Sequence, residues 1–281
     1  MQIGFMSSAA PNWDLATLLR EGRASGCTAL EPRVEWAHGH GLERDTPEAW
    51  SAAQRQGAEA GLVISAIALG TRLNRPTPEE RRQAVEDIVA YAELAAAAGA
   101  PVMRVFGGPM APDWTMEQAR PFVAEALASA AERCAPYDVI PCLETHDAFW
   151  NPVDVAWCLE HAGHANVGAT WHAAHHVRRG ISVDEAFAVL APWVRHVHVQ
   201  EIPAGSDYQP GMTPVPLGDG DGSVRRQITL LAGQGYAGTL SLEWINNKEH
   251  PVDPRPPLQQ YGTTLQRWLA EIGGRTPATA Q

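Results

Sequence analysis

Short apolar runs alternate with longer amphipathic segments along the whole chain. The runs are rich in Val, Ile and Leu with few polar positions, which is typical of strands covered on both faces of a parallel sheet. Eight such runs predict eight strands, at residues 2–6, 27–33, 62–70, 101–108, 139–146, 167–172, 194–201 and 238–244.

The segments between these runs have helical spacing and recognisable helix starts. Thr46 and Thr77 each precede Pro-Glu, so each is a predicted N-cap with proline at the first helical position, and Ser182 is a predicted N-cap later in the chain. The predicted helices cover residues 14–26, 46–61, 77–100, 115–137, 151–163, 182–193, 223–236 and 257–274. Pro121 either kinks its helix or marks its true first turn.

Eight strand–helix units in 281 residues predict an α/β fold, a single closed (β/α)8 TIM barrel. We expect the barrel to occupy residues 1–275, followed by a disordered tail at 276–281. An open doubly wound sheet is the alternative, but such a sheet normally has G-x-G-x-x-G after its first strand, and residues 4–13 lack it. The GDGDG run at 218–222 follows the Pro/Gly-rich loop 202–222 and predicts a turn.

Composition narrows the class of protein. The net charge of −11 disfavours binding to nucleic acid or to an anionic membrane surface. The N-terminus lacks a secretory pattern and no run of about 18 apolar residues occurs, so a cytoplasmic protein without membrane spans is expected. The cysteines are widely spaced without a CxxC pair, which predicts buried thiols at Cys27, Cys134, Cys142 and Cys158.

Ionisable residues gather where several predicted strands end. In a (β/α)8 barrel the active site lies at the carboxyl ends of the strands. The residues near these ends are Glu31, Arg33, Trp36, Arg104, Glu144, His146, His172, His196, His198, Glu201 and Glu243. Because side chains alternate along a strand, Glu144, His172, His198 and Glu243 are expected to converge. Two carboxylates and two imidazoles suit a divalent first-row metal such as Mn, Co, Fe or Zn.

Other polar residues have simpler interpretations. His196 is expected to be a hydrogen-bonded interior histidine, and His38 and His40 are expected to be solvated loop residues. His176 is predicted to belong to the scaffold and to point away from His175. Arg104 could either form a purely structural ion pair with a neighbouring carboxylate or contribute to the site, and the sequence leaves both open.

Four stretches resemble one known family. They are LETH at 143–146, the His-x-x-His at 172–175, HVHVQE at 196–201 and the LGDGDG…GYAGTLSLEW run at 217–244. Together they resemble the xylose isomerase-like TIM barrel superfamily, the sugar phosphate isomerase/epimerase family. This group includes sugar isomerases and epimerases, inosose dehydratases and an apurinic endonuclease branch.

The ketose epimerases of this family imply roles for residues at the matching positions. The resemblance implies one divalent metal ion held by Glu144, His172, His198 and Glu243, with the two glutamates also acting as catalytic acid and base. It implies a substrate contact for His175 and a sugar pocket beside it. The expected lining residues are Arg104, Glu31, Arg33, Trp36, Glu201 and His146.

One position departs from the family pattern. His172 stands where the family usually has Asp, which removes a negative charge from the ligand set and favours Mn, Co, Zn or Fe over Mg. The expected activity is a metal-dependent isomerase or epimerase that removes a proton next to the carbonyl of a sugar, sugar phosphate or polyol. An inosose-type dehydratase, an apurinic endonuclease-like phosphodiesterase and a non-catalytic sugar-binding barrel remain open, as does a homodimer.

Overall fold

Parallel strands form a barrel surrounded by helices in the computed structural model, which describes residues 1–202, 212, 214–221 and 223–274. The strands are β1 (Gln2–Met6), β2 (Ala29–Glu31), β3 (Val63–Ile64), β4 (Ile67–Arg72), β5 (Val102–Phe106), β6 (Ile140–Glu144), β7 (Gly168–His172), β8 (Val194–Val199) and β9 (Thr239–Leu242). Their order in the sheet is β3-β2-β1-β9-β8-β7-β6-β5-β4. The predicted single α/β TIM barrel is confirmed.

The third predicted strand is interrupted, so β3 and β4 are two pieces of one run of chain. β3 pairs with β2 and β4 pairs with β5, and an isolated bridge joins Arg33 to Ala68. Pro32 has no N–H to donate, and it contributes only its carbonyl, which accepts from Ala68 N. The ladder therefore breaks beside Pro32. The two edge strands of the sheet, β3 and β4, are consecutive along the chain.

The helices surround the strands largely as the spacing predicts. They are α1 (Leu15–Ala24), α2 (Pro47–Ala60), α3 (Pro78–Ala90), α4 (Ala92–Ala98), α5 (Met116–Cys134), α6 (Pro152–Ala162), α7 (Ala173–Val177), α8 (Val183–Leu190), α9 (Ser223–Gly233) and α10 (Arg255–Gly273). Thr77 and Ser182 form capping boxes with Glu80 and Glu185. The predicted helix 77–100 is divided at Tyr91, and α5 runs through Pro121.

All four cysteines lie in the described ranges as free, buried thiols, as predicted. Burial raises the pKa of Cys27 to about 12 and that of Cys134 to about 11, so both thiols stay protonated at neutral pH. None of the helices in the described ranges is long and apolar enough to cross a bilayer. The predicted tail at 276–281 and most of the predicted loop at 202–222 lie outside the described residues.

Candidate metal centre

The four predicted metal ligands meet at the carboxyl end of the barrel. Glu144 ends β6, His172 ends β7, His198 lies in β8 and Glu243 directly follows β9. One ligand atom from each lies within 4.8 Å of those of the other three. His172 and His198 occupy directly paired positions of the sheet. All four side chains are buried, and Glu243 is the most accessible at 6% exposure.

The strand-end backbone fixes this arrangement. Thr145 follows Glu144, and its Oγ1 accepts from His172 N at 2.9 Å and donates to His172 O at 3.0 Å. The residue after one ligand therefore holds the backbone of the next ligand along the sheet. This contact was not predicted, although the Thr in the LETH motif was a visible signal.

The contacts within the cluster are short, but they do not form an ordinary hydrogen-bond network. His172 Nδ1 and His198 Nδ1 each lie 3.1 Å from Glu144 Oε1 and 2.9 Å from Glu243 Oε2. A ring nitrogen carries at most one hydrogen, so it cannot donate a full hydrogen bond to both carboxylates. Neither contact to Glu243 Oε2 has hydrogen-bond alignment.

This spacing is suitable for a shared cation. Nitrogen and oxygen ligands lie about 2.1 Å from a first-row metal, so two ligands at a right angle are about 3 Å apart. The four nitrogen–oxygen contacts of the cluster have this separation. The residues present therefore fit one divalent ion of the first transition row.

The cluster also sets the charge state of its members. Burial lowers the pKa of both histidines, but the surrounding carboxylates outweigh it, so the pKa of His172 is raised and that of His198 is raised well above its ordinary value. Burial works to raise the pKa of Glu243, but His198 and His172 hold it well below its ordinary value. The pKa of Glu144 is also lowered, with His198 and Arg104 outweighing burial and Glu243. Both glutamates are therefore ionised at neutral pH.

Glu31 lies behind the cluster, which corrects the prediction that it lines the sugar pocket. It is fully buried, and its two oxygens lie 3.0 Å from His198 Nε2 and 2.9 Å from His196 Nε2. A carboxylate that accepts from the outer nitrogen of a metal-binding imidazole fixes the ring and its tautomer. Both oxygens are occupied in this way, so Glu31 orients His198. His196, buried and bonded to Glu31, is the interior histidine that was predicted.

Gln200 was missed. Its Oε1 lies 3.2 Å from His172 Nε2, so Gln200 does for His172 what Glu31 does for His198. The alternation along HVHVQE was a sufficient signal, because Gln200 falls on the same face as His196 and His198.

The same alternation places Glu201 on the opposite face of the strand. Glu201 Oε2 accepts from Gly218 N at 2.9 Å, and the side chain lines a separate cavity of about 430 Å³ between the ends of β8 and β9 and the start of α10. Glu201 anchors the turn at Gly218, so the prediction that it lines the sugar pocket is not supported by its position.

Two further histidines lie beside the cluster. The ring of His175 lies 4.2 Å from that of His172 and 4.3 Å from that of His146, centroid to centroid. His175 Nε2 is buried without a hydrogen-bond partner in the described part of the chain. Burial and the neighbouring His172 hold the pKa of His175 well below its ordinary value, so the ring is neutral. The contacts of His175 and His146 with substrate stay predictions.

His176 and the loop histidines have structural contacts. His176 accepts from Trp171 Nε1 at 3.0 Å and lies 3.0 Å from Ile181 O, consistent with its predicted scaffold role. The prediction of a solvated His40 is wrong, because this ring is buried between Arg33 O at 3.0 Å and Leu42 N at 2.9 Å. His38 is half-buried, with Nδ1 at 3.2 Å from Ser7 Oγ.

Two arginines complete the surroundings. Arg104 is fully buried, with Nε 3.4 Å from Glu144 Oε2 and the guanidinium 3.9 Å from the centre of the Phe106 ring. Arg33 is 9% exposed, and its guanidinium lies 4.2 Å from the centre of the Trp36 ring. Trp36 itself is 51% exposed. Two buried positive charges thus lie close to the carboxylates of the cluster.

Comparison with known proteins places this chain in a family. The family model of the xylose isomerase-like TIM barrel matches residues 19–272, whereas no curated protein matches the sequence. Similar solved structures include L-ribulose 3-epimerase, with 18% identity, a TM-score of 0.80, and coverage of 100% of this chain and 99% of that chain. The zinc-bound IOLI protein has 13% identity, a TM-score of 0.81, and coverage of 97% and 99%.

A third similar structure is the probable 3-DHS dehydratase AsbF of Bacillus anthracis, with 17% identity, a TM-score of 0.76, and coverage of 95% of this chain and 99% of that chain. At these identities the structures establish the fold and leave the activity to be argued from the site. The family match over most of the chain establishes that the protein belongs to the xylose isomerase-like TIM barrel family.

Proposed function

We propose that the protein is a divalent metal-dependent isomerase or epimerase that removes a proton next to the carbonyl of a sugar, sugar phosphate or related polyol. The observation that carries the proposal is the convergence of two ionised carboxylates and two imidazoles on one point at the carboxyl end of the barrel. Neighbours of this fold include an epimerase and a zinc-binding protein, which agrees with this chemistry.

The ligands of the ion would be Glu144, His172, His198 and Glu243. Two imidazole nitrogens in the set favour Mn, Co, Zn or Fe over Mg, which prefers an all-oxygen shell. A divalent ion bound here supplies a Lewis acid that makes the proton next to a substrate carbonyl easier to remove.

The protein groups perform the proton transfers. One of the two glutamates accepts the proton from the substrate carbon. The other, ionised at rest, takes a proton from solvent and delivers it to the opposite face, which inverts that centre. Arg104 holds Glu144 in place through its contact with Oε2. Arg178 Nη2 donates to His175 Nδ1 at 3.1 Å, so the neutral ring carries its hydrogen on the unpartnered Nε2, which can donate to a substrate oxygen. If a hydroxyl on the next carbon leaves instead, the same proton abstraction produces a dehydration.

The test is deuterium uptake from solvent. Protein loaded with Mn or Co is mixed in D2O with ketoses, their phosphates and inososes, and the signal of the proton next to the carbonyl is followed by NMR. Exchange at that carbon with at least one substrate supports the proposal. Metal-loaded protein that exchanges none of them would refute it.

The phosphodiesterase alternative is not favoured by the site. A second group that could hold an ion, Glu31, His196 and His198, shares His198 with the first group, and Glu31 already bonds both rings. The residues that the structure describes therefore offer one independent ion site in this region. A nicking assay on abasic DNA is expected to show no cleavage.

Replacing Glu31 with Gln should weaken metal binding. The amide cannot accept from both His198 and His196 with the strength of a carboxylate, so His198 loses its fixed orientation and tautomer. We expect the dissociation constant for zinc to rise about 10- to 100-fold, the usual cost of losing such a partner. Isothermal titration calorimetry measures it, with Glu201→Gln, another buried carboxylate, as the control that keeps wild-type affinity. Equal affinity of Glu31→Gln and wild type would contradict the assigned role.

Metal binding should release protons near neutral pH. The raised pKa values of His172 and His198 in the metal-free protein mean that these rings hold protons above pH 6.5, the ordinary histidine pKa. Binding must expel those protons, so zinc affinity should keep rising with pH through and above 6.5. Calorimetry at pH 7.5 in buffers of different ionisation enthalpy measures the protons released per ion. A release close to zero at that pH would contradict this charge state.

A further inference from the structure

Two guanidinium groups beside the cluster have hydrogen-bond donors without acceptors. Nε, Nη1 and Nη2 of Arg104 are all buried and lack hydrogen-bond partners within the described part of the chain, and Nε of Arg33 is in the same state. Buried polar atoms are rarely left unpaired in folded proteins. Here the unpaired atoms belong to permanently charged groups, and both flank the proposed metal centre.

Aromatic rings cover one face of each guanidinium and leave its N–H edge free. Phe106 lies against Arg104 and Trp36 lies against Arg33. Stacking fixes the plane of a guanidinium, and hydrogen bonds form along its edge. Each arginine is therefore held in position with donors available to an incoming group.

The two arginines belong to one charged neighbourhood. Burial and then the charge of Arg104 lower the pKa of Arg33 to about 10, while Glu243 and Glu144 oppose the shift. Arg33 remains protonated at neutral pH. The charge of Arg72 also lowers the pKa of Arg33, and Arg72 Nε forms an ion pair with Asp147 Oδ2 at 3.7 Å.

Bound metal leaves an excess of positive charge here, because the two arginines and a divalent ion together outweigh the three buried carboxylates. The two negative charges of Glu144 and Glu243 would be balanced by a divalent ion. Glu31 is already engaged by His196 and His198. Among the residues that the structure describes, Glu144 is the one carboxylate that pairs with Arg104, and none pairs with Arg33. A buried charge without a partner is strongly unfavourable, so a ligand is expected to supply the negative group.

We infer that the substrate carries an anionic oxygen group, a carboxylate or a phosphate monoester, which Arg33 and Arg104 bind beside the metal centre. This inference rests on the proposed function, since it names the substrate class of the same site. The forked donors of a guanidinium match the paired oxygens of both groups, whereas a neutral sugar offers hydroxyls alone. The site therefore selects a charged polyol over its neutral parent.

The first test uses small probes that do not depend on the sugar scaffold. Zinc-loaded protein is titrated calorimetrically with inorganic phosphate and with quinate, a carboxylated polyol. We expect saturable binding of at least one, weakened about 10- to 100-fold in Arg33→Gln and in Arg104→Gln, the loss typical of a hydrogen bond to a charged group. Arg226→Gln, which removes an exposed arginine paired with Asp184, is the matched control and should bind as wild type does. Absence of binding by both probes, or unchanged binding in both variants, would overturn the inference.

Folding of the Arg104 variant is controlled separately. Arg104→Lys keeps the charge and loses the fork, so its affinity for the anion should fall between those of wild type and Arg104→Gln. Thermal melting and the zinc dissociation constant report whether each variant is intact. Equal anion affinity of Arg104→Lys, Arg104→Gln and wild type, in folded and zinc-loaded protein, would count against the inference.

Matched pairs then identify the anionic group. Ribulose 5-phosphate is compared with ribulose, and quinate with its neutral amide, and the pair with the larger difference in affinity names the group. Equal affinity within both pairs would contradict the inference. Failure of the proposed function gives a different result. If anion binding depends on both arginines but no substrate takes up deuterium, the protein is not an isomerase and the charged subsite remains. Deuterium uptake from a neutral ketose at equal rates in wild type and Arg33→Gln would support the isomerase and remove the charged subsite.

Discussion

Glu243→Gln is expected to lower the rate of deuterium exchange at the substrate carbon by about 10²- to 10⁴-fold, the range that a positioned acid or base contributes. The amide has the size of the carboxylate and keeps an oxygen that can face the cluster, but it cannot accept the proton. Glu243 is also the most accessible of the four proposed ligands, at 6% exposure. The measurement is the rate of exchange by NMR on metal-loaded protein at saturating substrate.

The control for this variant is Glu249→Gln, which changes an exposed carboxylate six positions further along the chain and should exchange at the wild-type rate. Metal content must be determined for both proteins, because a loss of metal would lower the rate for another reason. Exchange at the wild-type rate by metal-loaded Glu243→Gln would contradict the assigned role. A wild type that binds metal and ligand but exchanges no better than the variant would indicate a sugar-binding barrel without chemistry.

His172→Asp is expected to shift the metal preference towards magnesium. The substitution restores the carboxylate usual in this family, so the ligand set becomes three carboxylates and one imidazole. More oxygen and more negative charge favour Mg and Mn over Zn and Co. The ratio of zinc affinity to magnesium affinity should fall by at least about tenfold, since changes to residues behind the ligands already shift metal affinity 10- to 100-fold.

Competitive calorimetry with the two ions measures that ratio. His175→Asn is the matched control, because its ring lies against that of His172 but its atoms are not part of the ligand cluster. The control should keep the wild-type ratio. An unchanged ratio in His172→Asp would mean that His172 does not contact the ion.

The sequence was informative where periodicity and chain direction decide the structure. The apolar runs predicted the strands, and the rule that barrel sites lie at the carboxyl ends of strands selected Glu144, His172, His198 and Glu243 from residues up to 99 positions apart. The alternation of side chains that begins in β8 places His198 inward and Glu201 outward. The prediction that Glu201 lines the sugar pocket did not take this alternation into account.

The sequence was less informative where side chains choose partners in three dimensions. Glu31 was expected to face the substrate because it ends a strand, but the Nε2 atoms of His196 and His198 reach it from across the barrel. A one-dimensional pattern does not show which nitrogen of an imidazole faces a neighbouring strand. Likewise, the break between β3 and β4 follows from the missing donor of Pro32 on the adjacent strand, which the pattern within residues 62–70 does not contain.

Anomalous X-ray diffraction from crystals of the zinc- or cobalt-loaded protein would locate the ion and so test whether these four residues bind it. We expect one strong anomalous peak at the carboxyl end of the barrel, at about 2.1 Å from His172 Nδ1, His198 Nδ1, Glu144 Oε1 and Glu243 Oε2. A fully loaded protein with its metal bound elsewhere, or with no peak among these four atoms, would contradict it.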